Sequence, residues 1–293
     1  MVSPHRQDRL AAPGMGTSMI SGAFRAFKHR RRLARAHAEI KARSDAAGLP
    51  HNLPGPLVVS LTSYPARFGT LALTLQGILR QSVRPDRVIL WIAEGDIDRV
   101  PQDVLSVPEL EVRTCPDWRS YNKIVPTLIH HPNAFIVTAD DDAYYAADWL
   151  EGLVVAVRQG ARIACHRAHR ITLRDDRPAP YADWRHNVHA PERSPLTFLT
   201  GVSGVIYAPG VFHPDVTRAD LFTRLAPSSD DVWLYWMHRL NGVQAQKIGP
   251  RARILEWEDS QAQSLRAANL HGMGNDQAID AMIAHYGWPG CDA

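Results

Sequence analysis

The chain has 293 residues, of which 45% are hydrophobic and 22% are charged, and its formal net charge is +3. This length can bury a real core in one large domain or two small ones. No apolar run approaches the roughly 18 residues that span a bilayer. Three widely spaced cysteines without a C-x-x-C pair argue against a disulfide framework and a zinc site, and predict a cytoplasmic protein.

The basic charge is concentrated at the start of the chain. Through Arg43 there are ten Lys and Arg residues against two acids, so the remainder is net acidic. Residues 1 to about 20 have the composition of a disordered segment, and 23–42 predicts a basic helix. We interpret residues 1–52 as an arm that contacts an anionic membrane surface at the inner membrane face, or as a solvated helix without a partner. The acidic remainder argues against nucleic acid as a partner.

From residue 53 onward, strand patterns alternate with helix patterns. Apolar runs rich in β-branched residues predict strands over 57–62, 88–92, 110–113 and 135–137. Apolar residues at helical spacing predict helices over 71–81, 121–130 and 149–158, with a short helix over 101–105. Such alternation predicts right-handed βαβ units and an α/β fold with a mixed, mainly parallel sheet flanked by helices.

The second half of the domain is less regular. A strand over 162–165 precedes a long segment, 166–195, whose length is typical of functional loops. Residues 196–207 predict a strand pair around a Gly-x-x-Gly element, which is either a close approach of backbone to ligand or a tight hairpin. Two helices follow, over 232–237 and 278–286. Ser229 or Asp230 is the expected N-cap of the first of these two helices.

Three consecutive carboxylates, Asp140, Asp141 and Asp142, follow the fourth strand. Ligands of open α/β sheets bind at the carboxyl ends of strands, and adjacent carboxylates repel one another unless a cation is supplied. Because alternate residues of an extended segment point the same way, Asp140 and Asp142 are expected to share one face and to hold Mg²⁺ or Mn²⁺. The alternative is a solvated acidic turn. No G-x-G-x-x-G or G-K-[ST] loop follows the first strand, which argues against classical dinucleotide and P-loop sites.

Taken together, these motifs resemble those of the GT-A fold glycosyltransferases, which depend on nucleotide sugars and typically on a metal. The resemblance covers roughly residues 57–286. It is carried by residues 58–67, which resemble the first strand and nucleotide loop, by the D-x-D-like 138–142, by the glycine-bearing 200–204, by Ser229-Asp230-Asp231 in place of x-E-D, and by a C-terminal histidine, His271. The resemblance implies a single GT-A-like domain over 53–293.

The resemblance and the residues together assign candidate roles. The nucleotide sugar, as donor, is expected to contact Thr62, Tyr64, Arg67, Lys123, Asp140 and Asp141. The metal ligands are expected to be Asp140, Asp142 and His271. The sugar or acceptor is expected to meet Gly201, Ser203, Gly204 and Trp184, the last by stacking on a sugar ring. Asp231 is the candidate general base and Asp230 its rival.

Each assignment has a plainer alternative. Arg67 and Lys123 could be solvated, His271 could be an exposed tail residue, and Trp184 could be ordinary loop surface. Asp230 and Asp231 could only cap a helix, which would leave a retaining mechanism open; a base facing the acceptor would make the reaction inverting.

The expected function is a metal-dependent glycosyltransferase. It would move a sugar from a nucleoside diphosphate sugar, with UDP expected, to a glycan or glycolipid hydroxyl in cell-surface polysaccharide synthesis. The alternatives are a non-catalytic nucleotide- or sugar-binding protein of the same fold, and a metal-dependent nucleotidyl- or phosphotransferase.

Overall fold

A computed structural model describes residues 16–43, 48–258 and 274–290. The chain divides into two compact units between Lys41 and Ala42. The helix α1 (Gly16–Ala42) lies in the first unit except for its last residue, so the predicted basic helix is present and begins earlier than the composition suggested. The predicted disorder of residues 1–15 lies outside the described residues. No helix in the described part of the chain is long and apolar enough to cross a membrane.

The second unit contains the remaining elements. Its strands are β1 (Leu49–Pro50), β2 (Leu57–Thr62), β3 (Val83–Arg84), β4 (Arg87–Ala93), β5 (Leu110–Cys115), β6 (Phe135–Thr138), β7 (Ile163–Cys165), β8 (Ala168–Arg170), β9 (Leu173–Arg174), β10 (Arg177–Pro178), β11 (Glu192–Arg193), β12 (Thr197–Leu199), β13 (Val205–Tyr207) and β14 (Gln246–Lys247). Its helices are α2 (Phe68–Leu79), α3 (Gln102–Leu105), α4 (Val125–His130), α5 (Trp149–Arg158), α6 (Ala219–Leu225), α7 (Asp230–Leu240) and α8 (Gly274–Tyr286).

An eight-stranded sheet organises this unit, in the order β11-β14-β7-β13-β6-β2-β4-β5. The strands β5, β4, β2 and β6 are parallel, and β13 runs antiparallel between β6 and β7. The fold-class prediction is therefore confirmed. From the central β2 the chain proceeds through β4 to β5 on one side and returns to β6 on the other, so the switch point of the sheet lies between β2 and β6.

The sequence of the central strands explains their position. Leu57, Val59 and Leu61 of β2 pack with α2 and α5 in one apolar layer, whereas Val58 packs on the opposite face of the sheet. Strands buried on both faces are near-continuous apolar runs, which is why these segments could be recognised in the sequence. Nearly all residues of helix α7 are buried, because the helix packs within a hydrophobic core cluster separate from the one that contains α2 and α5.

Two expectations about the second half were wrong. The strands predicted as a pair around the Gly-x-x-Gly element do not pair with each other, since β12 pairs with β8 and β13 joins the main sheet between β6 and β7. The long segment 166–195 contains four short strands, β8 to β11, and is not a continuous loop. These strands were missed because two- and three-residue strands leave no periodic signal.

Residues just before the sheet belong with the second unit. Arg43 donates hydrogen bonds to the carbonyl oxygens of Gly77, at 2.8 Å, and Tyr145, at 2.6 Å. The strand β1 pairs with β3. Arg43 and β1 are thus packed against the sheet domain.

Candidate active site

A cleft of about 1370 Å³ opens at the carboxyl ends of β2 and β6. The loop 62–67 after β2, the aspartates after β6 and the start of α7 all line it. Since parallel strands end at the same edge of the sheet, segments far apart in sequence meet at the switch point. The cleft therefore collects the three motifs that the sequence singled out.

The three aspartates do not follow an extended path. The strand β6 ends at Thr138, and the chain bends at Asp141 and Asp142. One nitrogen of Arg67, Nη1, lies 2.8 Å from Asp141 Oδ1 and 2.8 Å from Asp142 Oδ2. The alternation of faces expected for an extended segment is thus wrong at this point, because consecutive carboxylates share one guanidinium.

Asp141 is engaged by the protein itself. Its Oδ2 accepts a hydrogen bond of 2.6 Å from Ser63 Oγ, and its backbone carbonyl accepts one of 2.9 Å from Thr74 Oγ1. Burial raises the pKa of Asp141, and the Arg67 charge opposes that rise. This arrangement holds the loop after β2 against the loop after β6.

Asp142 is the carboxylate with surplus negative charge around it. Burial, and then the neighbouring charge of Asp140, raise its pKa to about 7 in spite of the Arg67 ion pair. Its backbone carbonyl accepts a hydrogen bond of 3.0 Å from the Trp257 amide, and the next residue, Ala143, forms a β-bridge with Glu256. The segment 251–257 therefore supports the far side of the aspartate loop.

Lys123 connects the aspartate loop to helix α7. Its ammonium lies 3.3 Å from Asp140 Oδ1 and 3.2 Å from Asp230 Oδ2. Burial alone would lower the pKa of Lys123, but the charges of Asp230 and Asp140 raise it well above its ordinary value. The solvated alternative for Lys123 is thus wrong, since its side chain is only 10% exposed.

Asp231 reaches the cleft from the first turn of α7. Its Oδ1 accepts a 2.7 Å hydrogen bond from the amide of Gly201, and a Cβ at Gly201 would lie 2.8 Å from Lys123 Nζ. Burial, and then the charge of Asp230, raise the pKa of Asp231 to about 7. Ser229 stands at the N-cap without a side-chain capping bond, because its hydroxyl pairs with Asn275. Neither acid was found to cap the helix through its side chain.

Ser203 and Gly204 turn away from this cleft. Gly204 has φ +93°, and a Cβ there would lie 2.5 Å from the ring of Trp149. The Trp149 indole donates a 2.8 Å hydrogen bond to the Ser203 carbonyl. These two residues therefore seat β13 against α5, and among the predicted substrate-binding residues only Gly201 lies beside the acidic groups.

Trp184 does not offer a stacking face. It is 4% exposed, packs against Tyr181 and Phe198, and donates its indole N–H to the Ala179 carbonyl at 2.8 Å. Its predicted role on a sugar ring is therefore corrected to a core role. His169 and His186, from the same segment, do line the cleft.

Tyr64 and Thr62 lie where the nucleotide loop was expected. Both line the cleft, with Thr62 Oγ1 donating to the Trp91 carbonyl at 2.8 Å and the Arg67 guanidinium 5.5 Å from the centre of the Tyr64 ring. Sequence reasoning missed Ser63, although it is the next residue in the same motif. It also missed Arg167, because no periodic or motif signal marks that residue.

Asp140 and Asp142, the predicted metal ligands among the described residues, both line the cleft. Within the described ranges, no three His, Cys, Asp or Glu side chains converge as a metal cluster; His271 falls outside those ranges. Mg²⁺ is commonly bound through one or two carboxylates together with substrate phosphates. Burial first, and the charge of Asp140 second, raise the pKa of Asp142, and a bound cation would favour the ionised carboxylate. The donor set therefore fits a hard divalent cation completed by phosphate oxygens.

The chain is similar to known proteins at the level of the fold. No family model and no curated protein matches the chain. Among solved structures it is similar to the mannosyltransferase PcManGT of Pyrobaculum calidifontis in complex with GDP-Man and Mn²⁺, with 14% identity over 92% of this chain and 81% of that one and a TM-score of 0.47. It is also similar to S. aureus TarS 1–349, with 13% identity over 79% and 72% and a TM-score of 0.46.

A third similar structure is a CMP:2-keto-3-deoxy-manno-octonic acid synthetase complexed with CTP, with 11% identity over 77% of this chain and 99% of that one and a TM-score of 0.41. These similarities do not distinguish a glycosyltransferase from a nucleotidyltransferase. The geometry of the cleft therefore carries the functional argument.

Proposed function

We propose that the protein is a metal-dependent glycosyltransferase that moves a sugar from a nucleoside diphosphate sugar, with UDP as the expected nucleotide, to a hydroxyl of a glycan or glycolipid. One observation carries the proposal. Lys123 pairs with Asp140 and with Asp230 at once, so one candidate metal ligand and the first turn of α7, which also carries the candidate base Asp231, meet in one cleft. Glycosyl transfer needs both: neutralisation of the leaving diphosphate and removal of the acceptor proton.

On the donor side, Tyr64 and Thr62 line the part of the cleft above β2, where an open α/β sheet receives a nucleotide. A divalent cation held by Asp140 and Asp142 would act there as a Lewis acid on the diphosphate. Arg67 orients Asp142 through their ion pair. Asp141 supports this wall from behind.

On the acceptor side, Asp231 is the better base. Asp230 is engaged in an ion pair with Lys123. The pKa of Asp231 is about 7, which suits a general base at neutral pH. The acceptor oxygen attacks the anomeric carbon as the bond to the diphosphate breaks, and the proton passes to Asp231. Attack from the face opposite the leaving group inverts the anomeric centre.

The finer part of the proposal concerns location. An acceptor attached to lipid would suit an enzyme of cell-surface polysaccharide synthesis with a membrane-facing arm. Phe24 and Phe27 on α1 are 56% and 51% exposed, and the Lys28 ammonium lies 4.2 Å from the centre of the Phe24 ring. Exposed aromatic residues beside basic ones are typical of helices that bind anionic interfaces.

Calorimetric titration of UDP, GDP and CDP, with and without Mn²⁺, tests the donor site. We expect one nucleotide to bind the wild type in a Mn²⁺-dependent manner and to lose that dependence in Asp142→Ala. Asp280→Ala, on the exposed face of α8, is the matched control. Binding of no nucleoside diphosphate by a folded protein would remove the basis of the proposal. Tighter binding of nucleoside triphosphates would favour a nucleotidyltransferase.

A further inference from the structure

The cleft is also lined by residues that the proposed transfer does not use. Among them are Arg167, His169, His186 and Arg251. Two of these side chains are cationic, so basic groups line the same cleft as the candidate base.

Arg167 is fixed in this cleft by its neighbours. Its Nη1 donates a 2.9 Å hydrogen bond to Thr200 Oγ1, and the Thr200 amide donates to the Arg167 carbonyl at 3.2 Å. Thr200 is only 2% exposed. A guanidinium held in this way loses little side-chain freedom when it binds an anion, and its planar fork suits phosphate and carboxylate oxygens.

Thr200 also ties Arg167 to the candidate base. The next residue, Gly201, donates its amide to Asp231 Oδ1 at 2.7 Å. Through these two consecutive residues, Arg167 Nη1 and Asp231 Oδ1 are held no more than roughly 10 Å apart. That distance is comparable to the length of one sugar residue with a charged substituent.

The segment that carries Arg251 is also held by hydrogen bonds. The Asn187 amide donates to His169 Nδ1 at 2.9 Å, and the Asn187 side chain donates to the Ala252 carbonyl at 3.1 Å. These bonds join β8 to the residue after Arg251, so Arg251 lies on a segment that is fixed to β8.

We propose that the acceptor carries an anionic group, a phosphate or a carboxylate, on the same sugar residue as the attacking hydroxyl or on the adjacent one. Arg167 and Arg251 bind this group, and the hydroxyl then lies at Asp231. This inference rests on the proposed glycosyl transfer and adds the chemical class of its acceptor.

Calorimetry with the full chain tests this inference, using saturating UDP and Mn²⁺ so that the donor site is occupied. The ligands are three forms of one sugar: a hexose, its 6-phosphate and its uronic acid. The wild type should bind at least one anionic form tenfold or more tightly than the neutral hexose. Arg167→Met should bring that preference to within twofold, Arg167→Lys should retain part of it, and Arg158→Met, at an exposed arginine outside the cleft, should leave it unchanged.

The ligand forms separate a phosphate from a carboxylate as the bound anion. Preference for the 6-phosphate alone identifies a phosphorylated acceptor. Equal preference for the 6-phosphate and the uronic acid identifies a general anion site. Equal binding of neutral and anionic forms, no binding of either anionic form, or an undiminished preference in Arg167→Met would overturn the inference. The UDP titration of the same samples reports on the donor site separately, so a failed acceptor inference is distinguishable from a failed proposed function.

Discussion

Replacing Asp231 by asparagine should abolish transfer and at the same time stabilise the protein above neutral pH. Burial and the charge of Asp230 raise the Asp231 pKa from 3.8 to about 7, so ionisation of this group is disfavoured in the folded state. A shift of this size corresponds to about 4 kcal/mol. Because the carboxylate is half-buried in an open cleft, we expect about 2 kcal/mol. Asparagine keeps an oxygen for the Gly201 amide and removes the charge.

The sign of the effect follows from proton binding. Between pH 4 and 7 the folded protein retains a proton on Asp231 that the unfolded chain has already lost, so stability falls as pH rises through this window. Thermal unfolding at pH 5 and pH 8 should therefore show a gain for Asp231→Asn at pH 8 that shrinks at pH 5. Asp280→Asn, on an exposed helix face, should show neither change.

The same pKa predicts the pH–rate profile. With saturating donor and Mn²⁺, which would hold Asp142 in its ionised form if it is a metal ligand, kcat of the wild type should fall about tenfold per pH unit below 7 and level off above. Asp231→Asn should lower kcat by at least a hundredfold, with donor affinity unchanged. A profile with an apparent pKa near 4, or an asparagine variant less stable than the wild type at pH 8, would refute the assignment of Asp231.

Three further predictions follow from the contacts. Arg67→Met leaves the buried Asp141 without its ion partner and should lower the free energy of unfolding in urea by about 3 kcal/mol. The added change Asp141→Asn should restore most of this stability. An equal loss of stability in the single and double variants would contradict the ion-pair reasoning. Gly204→Ala should destabilise by more than about 1 kcal/mol, since φ is +93° and the new Cβ meets the Trp149 ring; a circular-dichroism melt unchanged from wild type would contradict this. Replacing Phe24 and Phe27 together by serine should release the protein from anionic vesicles in a flotation assay. Activity on a water-soluble acceptor should be unchanged. Undiminished flotation would show that the arm does not bind through these rings.

The first half of the sheet could be predicted because its signals are local. The parallel strands β2, β4 and β6 are short apolar runs bounded by turn residues, and α5 begins and ends where apolar spacing does. Burial of these strands on both faces leaves a continuous apolar run in the sequence. Order along the chain then limits the topology to very few arrangements.

The partners of the charged residues could not be predicted in the same way. Whether Lys123 is solvated or buried depends on Asp230, which lies more than a hundred residues later in the chain. Arg67 and Asp141, both predicted to contact the donor, also pair with each other, and the motif gave no sign of this pair. A motif shows which residue types meet at a site, but the assignment of each charge to a ligand or to another side chain depends on tertiary geometry.

Trp184 illustrates the opposite error. A tryptophan in a segment rich in histidine and arginine looks like a sugar platform, but its indole N–H finds the Ala179 carbonyl and its ring joins Phe198 in the core. Large aromatic residues bury much apolar area, and a buried indole N–H usually finds a hydrogen-bond partner. A buried partner for the N–H was the feature that the sequence could not show.

The two internal cations suggest how the cleft is kept ready for its donor. The cleft contains five aspartates that would repel one another strongly without nearby cations. They are Asp140, Asp141, Asp142, Asp230 and Asp231. Lys123 and Arg67 tie four of them into a fixed arrangement without neutralising the whole cluster, and Asp142 keeps a pKa of about 7. The remaining negative charge is what a divalent cation would offset when it arrives with a diphosphate. A fully neutralised cleft would have no electrostatic reason to bind that cation, and the expected loss of Mn²⁺ dependence in Asp142→Ala follows from this balance.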